Sequence, residues 1–262
     1  MERVAPDRIV AGTPRSGLGQ PGTVVLLAEL QPPTSIKTAL ERLSPSQGRV
    51  VGRPPRIVFT LRKPPRELVE RYRTDCGMRP LSFPGLCVAS LAAPPRGFVL
   101  DEYGCVLGSG EASFRAAEAA LDRFAMYPSP WAWVQAGTGC FGEGSVYVAV
   151  IRAYGLYALL PGRVLERLDE TEPVRRYGFT FATVAGHVEH GVERFEIVCS
   201  PETGEVRFVA TAVSRPGALV RWVSPLARRL QRKFHRESPQ VMRAASAGQD
   251  GNRSTSSPAG SV

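Results

Sequence analysis

The sequence lacks any long hydrophobic run. No stretch of its 262 residues approaches the roughly 18 consecutive apolar residues of a membrane-spanning helix, and short runs such as 24–28 are typical. Glu2 and Asp7 interrupt the start and no apolar segment follows them, so the pattern does not resemble a secretory signal. We therefore expect a soluble cytoplasmic protein.

Cysteine is also scarce. The five cysteines, an odd number without a C-x-x-C pair, argue against a disulfide framework and against a zinc site. Ser109 lacks the G-x-S-x-G pattern of a nucleophile elbow, and the segment 137–139 does not continue into a phosphate-binding loop. The sequence therefore assigns no catalytic residue and no cofactor.

Aromatic residues are absent from both ends of the chain. All 21 of them (3 Trp, 7 Tyr and 11 Phe) lie between Phe59 and Phe234. Segments without aromatic side chains have little to offset the entropy lost on folding. We predict a flexible extension over residues 1–55 with one short helix at 35–43, a single domain over 56–245, and a disordered, linker-like tail over 246–262.

Two hydrophobic patterns follow each other within the predicted domain. Phe114, Ala117, Leu121 and Phe124 recur at helical spacing after Ser109, a residue that can cap a helix. Short strands separated by turns that contain Gly or Pro then dominate. The predicted strands are 57–61, 97–107, 131–135, 145–153, 163–169, 177–184, 192–199 and 205–213. Consecutive strands with short turns indicate an antiparallel meander.

The clearest element is a helix that begins at Ser224. Leu226, Leu230 and Phe234 fall on one narrow apolar stripe, which must pack on another element. A curved antiparallel sheet is the available partner, so we predict an α+β fold of the helix-grip type, with the sheet wrapped around a long C-terminal helix. The basic residues on the rest of this helix are Arg228, Arg229, Arg232, Lys233 and Arg236.

Three segments of the sequence carry the signature of a known family. They are 107–114 before the first long helix, 177–195 with its elements Tyr177-Gly178-Phe179 and Gly186-His187, and 214–216 before the last helix. In order and spacing they resemble an uncharacterised bacterial and plant family, domain of unknown function nineteen-ninety. The family is similar to START-like helix-grip domains, which implies a cavity for a small hydrophobic ligand. Its last helix usually continues where Ser238-Pro239 is expected to interrupt it here.

Glu193 is the main candidate for polar recognition. Side chains alternate along a strand, so Glu193 faces the apolar interior if Phe195 and Ile197 do. A carboxylate there needs a partner or a raised pKa. The candidate partners are His187, Arg175 and Arg215. A structural ion pair at the cavity rim is the alternative interpretation.

The predicted ligand contacts combine polar and aromatic residues. The polar ones are His187, Glu193 and Arg194. The aromatic ones, which are either cavity lining or plain core, are Trp133, Tyr147, Phe179, Phe181 and Phe195. The segment 187–190 contains two His and one Glu but is typical of a polar turn, so we expect no metal.

The sequence favours a non-catalytic module that binds a small hydrophobic or lipid-like ligand between the sheet and the C-terminal helix. One alternative is an acid/base enzyme of the cyclase or hydratase kind that uses Glu193 and His187. Another is weak association of the basic helix with an anionic membrane surface. Nucleic acid is disfavoured because the basic face lacks aromatics that stack bases, and the oligomeric state stays open.

Overall fold

The computed structural model describes residues 25–28, 57–136, 142–217 and 224–250. The short helix predicted at 35–43, most of the predicted extension and residues 251–262 lie outside these ranges.

Strands and helices are ordered as follows. β1 (Val25–Ala28) and β2 (Ile57–Thr60) precede helix α1 (Arg66–Cys76) and a short 3-10 helix (Val88–Leu91). β3 (Val99–Ser109) leads directly into α2 (Gly110–Asp122). The remaining strands are β4 (Ala132–Gln135), β5 (Val146–Ala153), β6 (Leu156–Glu170), β7 (Arg175–Thr183), β8 (Glu189–Cys199) and β9 (Glu205–Pro216). Helix α3 (Ser224–Asp250) follows them.

The strands form one antiparallel sheet. β4 to β9 pair in chain order, which confirms the predicted meander, and β3 pairs with β9 at the other end of the series. β6 is 15 residues long and pairs with β5 along its first half and with β7 along its second. The strand predicted at 163–169 is only the second half of β6, because Pro161-Gly162 resembles a turn in the sequence but lies inside the ladder.

The sheet curls where two strands bulge and where glycines allow close approaches between strands. Pairing shifts between Val106 and Gly108 in β3 and between Val164 and Glu166 in β6, and such bulges bend a strand and increase its twist. At Gly178 in β7 a Cβ atom would lie 2.2 Å from the carbonyl oxygen of Phe195 on β8. Only glycine fits this kink, which brings two strands together.

The concave face of the sheet carries the main core. Aromatic side chains from β7, β8 and β9 meet α2 there, and the fully buried ones are Phe114, Phe179, Phe195 and Phe208. Ala117 and Leu121 are buried in the same cluster, which confirms the apolar stripe predicted for α2. Ser109 precedes the helix as predicted, but its side chain forms no capping hydrogen bond.

The convex face has a smaller core under α1. Val69 and Tyr72 of α1 pack against Val148 and Val150, which point outward from β5. Trp133 packs against this cluster, and Lys63 Nζ lies 5.3 Å from its ring centroid. The prediction that Trp133 contacts a ligand in the cavity is therefore wrong, because alternation along β4 turns its side chain to the outer face.

Helix α3 is longer than the sequence pattern indicated. It passes through Ser238-Pro239, both buried, so the predicted interruption is wrong. The thiol of Cys105 on β3 donates to the carbonyl oxygen of Pro239 at 3.2 Å. Ser246 is buried and its hydroxyl donates to the carbonyl oxygen of Met242 at 2.9 Å. Helix α3 thus continues to Asp250, through residues 246–250 that we predicted as the start of the tail.

A curved antiparallel sheet gripping a C-terminal helix is the helix-grip fold, as predicted from the strand meander and the apolar stripe. The stripe is covered from Leu230 onward, whereas Leu226 remains 37% exposed. No helix in the described ranges has the length and apolar character needed to cross a bilayer.

We expect Gly178→Ala to lower the free energy of unfolding by about 3 kcal/mol, because the new methyl group would collide with backbone rather than with a movable side chain. Urea denaturation measures this change. Gly142→Ala is the matched control, since a Cβ there meets only Ser145 Oγ at 3.8 Å. Equal stability of the two variants would contradict the close approach of β7 and β8.

Candidate functional site

A cavity of about 200 Å³ lies between the concave face of the sheet and α3. Five aromatic side chains contribute to its wall: Tyr127, Trp131, Tyr147, Phe181 and Phe234. Its titratable residues, tyrosines aside, are Asp101, His187, Glu189, Glu193 and His235. The lining is therefore mostly aromatic and aliphatic, with a limited set of polar groups.

Only some of the predicted ligand contacts line this cavity. His187, Glu193, Tyr147 and Phe181 do. Phe179 and Phe195 are instead fully buried in the concave core and are absent from the cavity wall, so they belong to the plain-core alternative.

Arg194 points to the convex face, away from the cavity. Its Nη2 lies 2.8 Å from Glu166 Oε2, and its Nε donates to Thr180 Oγ1 at 3.0 Å. The prediction that Arg194 contacts a ligand is wrong. Consecutive side chains of a strand point to opposite faces, so Arg194 points outward because Glu193 points inward. Arg194 forms a structural ion pair between β6 and β8.

Glu193 faces the interior, as the alternation of β8 predicted, but with a different partner. Tyr103 Oη on β3 donates to Glu193 Oε1 at 2.7 Å. The three predicted partners bind elsewhere. Arg175 pairs with Glu111, Arg215 stacks over Phe83, and His187 Nδ1 bonds to the backbone of Glu189.

Tyr103 reaches Glu193 because small residues lie between them. β9 separates β3 from β8, and it places Ala210 and Ala212 on the concave face between the two side chains. His235 of α3 stacks on the Tyr103 ring with centroids 4.3 Å apart, which fixes the ring over the two alanines. Sequence reasoning missed Tyr103 because the pairing of β3 with β9 joins strands about a hundred residues apart.

Burial dominates the electrostatics of the two carboxyl groups in the cavity. Loss of water raises the pKa of Glu193 to about 7, against the lowering effect of the Tyr103 hydrogen bond, and Glu189 raises it further. Burial also raises the pKa of Glu189 to about 7, although Gln231 donates to its Oε1 at 2.9 Å and Arg228 lies near. Both groups can therefore gain or lose a proton near neutral pH.

His187 is neutral at physiological pH. Burial lowers the pKa of this imidazole to about 3. Nδ1 lies 3.0 Å from the backbone nitrogen of Glu189 and 3.1 Å from its carbonyl oxygen, so it bonds to the Glu189 backbone in either tautomer. His187 thus contributes a neutral imidazole to the cavity wall.

The Tyr147 hydroxyl is the remaining polar group of the wall. Tyr147 is 3% exposed, and its Oη forms no close hydrogen bond to the described residues. Gly162 on β6 leaves room for this ring, since a Cβ there would lie 2.9 Å from the hydroxyl oxygen. Burial raises the pKa of Tyr147, and the nearby Tyr127 and Glu193 raise it further.

A family model described as "Domain of unknown function (DUF1990)" matches residues 86–241, which is 156 of the 262 residues. The chain belongs to this family. A UPF0548 protein of Deinococcus radiodurans is 32% identical over 150 residues, which cover 52% of this chain and 72% of that protein. A UPF0548 protein of Arabidopsis thaliana is 25% identical over 151 residues, with 56% and 72% covered.

Solved structures similar to this DUF1990 member share little sequence with it. Ara h 8.0201 has a TM-score of 0.40 and 11% identity, with 58% of this chain and 99% of that chain covered. A hypothetical protein of Helicobacter pylori also has a TM-score of 0.40, with 12% identity, 64% of this chain and 97% of that chain covered.

The basic face of this DUF1990 member is narrower than its sequence indicated. Lys233 Nζ lies 4.2 Å from the centroid of the Trp131 ring and 4.0 Å from Glu237, and Arg228 is partly buried near Glu189. Arg229, Arg232 and Arg236 of the predicted set are exposed. Arg243 continues their line at helical spacing.

No group of three His, Cys, Asp or Glu side chains in the described part of the chain is placed to hold a metal ion. The polar turn predicted at 187–190 is in part strand, because β8 begins at Glu189. Sequence reasoning missed the lining residues Asp101, Tyr127, Glu189, Gln231 and His235. Glu189 and His235 were visible as polar residues beside apolar stretches, but nothing in the sequence shows that they face the same space.

We expect Glu193→Gln to change how stability depends on pH. The folded protein holds the Glu193 proton more tightly than an unfolded chain, whose carboxyl has a pKa of 4.5. The free energy of unfolding therefore falls as pH rises through the window from about 4.5 to 7. Gln keeps an acceptor for Tyr103 and removes this loss. Relative to the wild type, the variant's free energy of unfolding therefore rises by on the order of 2 kcal/mol as the pH goes from 5 to 8.

Urea denaturation across this pH range measures the difference. The groups that act on Glu193 are Tyr103 and Asp101 of β3 and Glu189 of β8, and all three are retained in the variant. Glu205→Gln is the control, since that side chain is 41% exposed. A stability difference for Glu193→Gln that does not vary with pH would show that this carboxyl is not buried in the folded protein.

Proposed function

We propose that this protein binds a small, largely apolar molecule with one polar group in the cavity between the sheet and α3. The observation that carries the proposal is an aromatic wall with a few polar groups, among them Glu193, which accepts a hydrogen bond from Tyr103. Small-molecule sites typically combine an apolar lining with a few such groups that fix orientation.

The size of the cavity limits the ligand. Its 200 Å³ lies below the roughly 300–1,000 Å³ of pockets for drug-sized molecules. It is nearer to the roughly 150 Å³ of an apolar protein cavity that accepts benzene. One ring with a short polar side chain therefore fits the proposal better than a sterol or a complete lipid.

We expect 2-phenylethanol, a neutral molecule of this kind, to raise the melting temperature and to bind in calorimetry. Ala149→Leu extends a side chain into the cavity from β5 and should weaken this binding at least about tenfold, because it removes part of the free volume. Native mass spectrometry after gentle purification, followed by organic extraction, looks for a molecule that the cell supplies.

The matched control is Ala244→Leu, the same substitution at an exposed position of α3. Ala212→Val narrows the cavity from β9 and serves as a second variant if Ala149→Leu folds poorly. Equal binding by all four proteins, or no binding by the wild type, would contradict a ligand in this cavity.

The acid/base enzyme is the second candidate, and the buried Glu193 supports it. A general acid or base works best when its pKa lies near the working pH, and burial brings Glu193 there. Tyr103, rather than the predicted His187, orients this carboxyl, since Tyr103 Oη donates to Glu193 Oε1. The pH dependence of the stability of Glu193→Gln tests this candidate too. If the comparison with the wild type shows no titration of Glu193 near pH 7, this carboxyl lacks the proton affinity that a general acid or base requires.

We also propose weak association of the basic face, now defined as Arg229, Arg232, Arg236 and Arg243, with an anionic membrane surface. The support is that four exposed arginines share one line of α3. Each contributes about 1 kcal/mol near such a surface. Since Phe234 packs inward against Tyr127 and Trp131, the attraction is electrostatic rather than insertion.

We expect vesicles with anionic lipid to retain the protein at low salt and to release it as salt rises. Changing Arg229, Arg232 and Arg236 to Gln should lower retention at least about tenfold. The control changes Arg62, Arg66 and Arg71, three exposed arginines elsewhere, to Gln. If both triple variants lose retention equally, net charge rather than this face is responsible, and the proposal fails.

A further inference from the structure

The charges around the cavity do not balance. Asp101, Glu189 and Glu193 contribute to the lining, and none of the lining residues that the structure describes is Lys or Arg. The two histidines do not compensate, because burial lowers the pKa of both His187 and His235 and favours their neutral forms. A ligand that carries a negative charge would therefore meet only repulsion from the charged groups of the wall.

Glu193 is the carboxyl without a countercharge. Arg228 acts on Glu189, but the charged groups that act on Glu193 are Glu189 and Asp101, both acidic. Among the described residues no Lys or Arg forms an ion pair with it, and its one hydrogen-bond donor is Tyr103. A partly buried carboxylate of this kind gains most from a cation that arrives with a ligand.

The aromatic wall suits the same kind of ligand. The faces of Tyr, Trp and Phe rings carry partial negative charge and attract ammonium groups within about 6 Å. One face of Trp131 already interacts with Lys233, which shows this attraction in the fold itself. Tyr127, Tyr147, Phe181 and Phe234 supply four further rings around the cavity.

The Tyr147 hydroxyl supplies an independent reason to place a polar group here. The hydroxyl is almost fully buried, forms no close hydrogen bond in the described part of the chain, and has Tyr127 as its polar neighbour. An unpaired buried hydroxyl costs free energy, which a ligand that donates a hydrogen bond to it recovers. An ammonium group has three donors and no acceptor, so it can donate to Glu193 and keep donors for a second acceptor.

We infer that Glu193, in the wall of the cavity, recognises a protonated amine carried on a single small ring. This inference rests on the proposed function and adds the sign of the ligand's charge to it. Glu193 is the countercharge, Tyr147 accepts one N–H, and the aromatic wall holds the ring. Acids such as fatty acids are disfavoured while the carboxyl groups of the wall are ionised.

Three compounds of matched shape test the inference: 2-phenylethylamine, a cation, 2-phenylethanol, a neutral molecule, and 3-phenylpropionate, an anion. We expect calorimetry at about pH 8 to show the amine binding at least about tenfold more tightly than the alcohol. The anion should bind at least about tenfold more weakly than the alcohol, because it faces uncompensated carboxylates.

Two variants assign the preference to the proposed groups. Glu193→Gln should bring the amine to within about threefold of the alcohol, and Tyr147→Phe should lower the preference for the amine by about threefold. Continued binding of the alcohol to each variant reports that the cavity is intact. Glu196→Gln, on the same strand but on the convex face beside Arg176, should keep the full preference.

The outcomes separate the two proposals. Equal binding of amine and alcohol by the wild type, or tighter binding of the anion, overturns the inference and leaves a small-molecule cavity in place. A preference for the amine that persists in Glu193→Gln overturns the role of Glu193 as countercharge. If none of the three compounds binds, both the inference and the proposed function fail.

Discussion

The pairing of β3 with β9 joins a strand from the start of the folded region to the last strand of the meander. It lays α2 across the concave face, where Phe114 and Leu121 fill the core. It also brings Tyr103 across β9 to Glu193, and Asp101 to the rim of the cavity. Without this pairing, β9 would have a free edge and Glu193 would lose its hydrogen-bond partner.

A carboxyl group inside an aromatic cavity is costly, and the surrounding structure reduces the cost without removing it. Tyr103 donates one hydrogen bond to Glu193, and His235 holds the Tyr103 ring by stacking. The free energy that remains is visible as the raised pKa, since the group takes up a proton more readily than in water. Proton uptake and ligand charge are thus alternative ways to neutralise one site.

Small residues leave the space that the cavity and its polar side chains occupy. Gly162 allows the Tyr147 and Phe181 rings to lie over β6, with Tyr147 atoms less than 3 Å from where a Cβ would be. Ala210 and Ala212 leave the gap that Tyr103 and Glu193 bridge. Larger side chains at these positions would turn the cavity into ordinary core, since protein interiors pack to near crystal density.

Local patterns in the sequence predicted the meander, the last helix and the inward direction of Glu193, because period-two and period-3.6 patterns are local properties of a chain. The residues 107–114, 177–195 and 214–216 also indicated the family. Contacts in the folded protein set three other features: Tyr103 rather than His187 binds Glu193, Trp133 lies on the convex face, and α3 continues through Pro239 to Asp250. These features depend on contacts between residues far apart in the chain, and no local pattern encodes which distant side chains share one space.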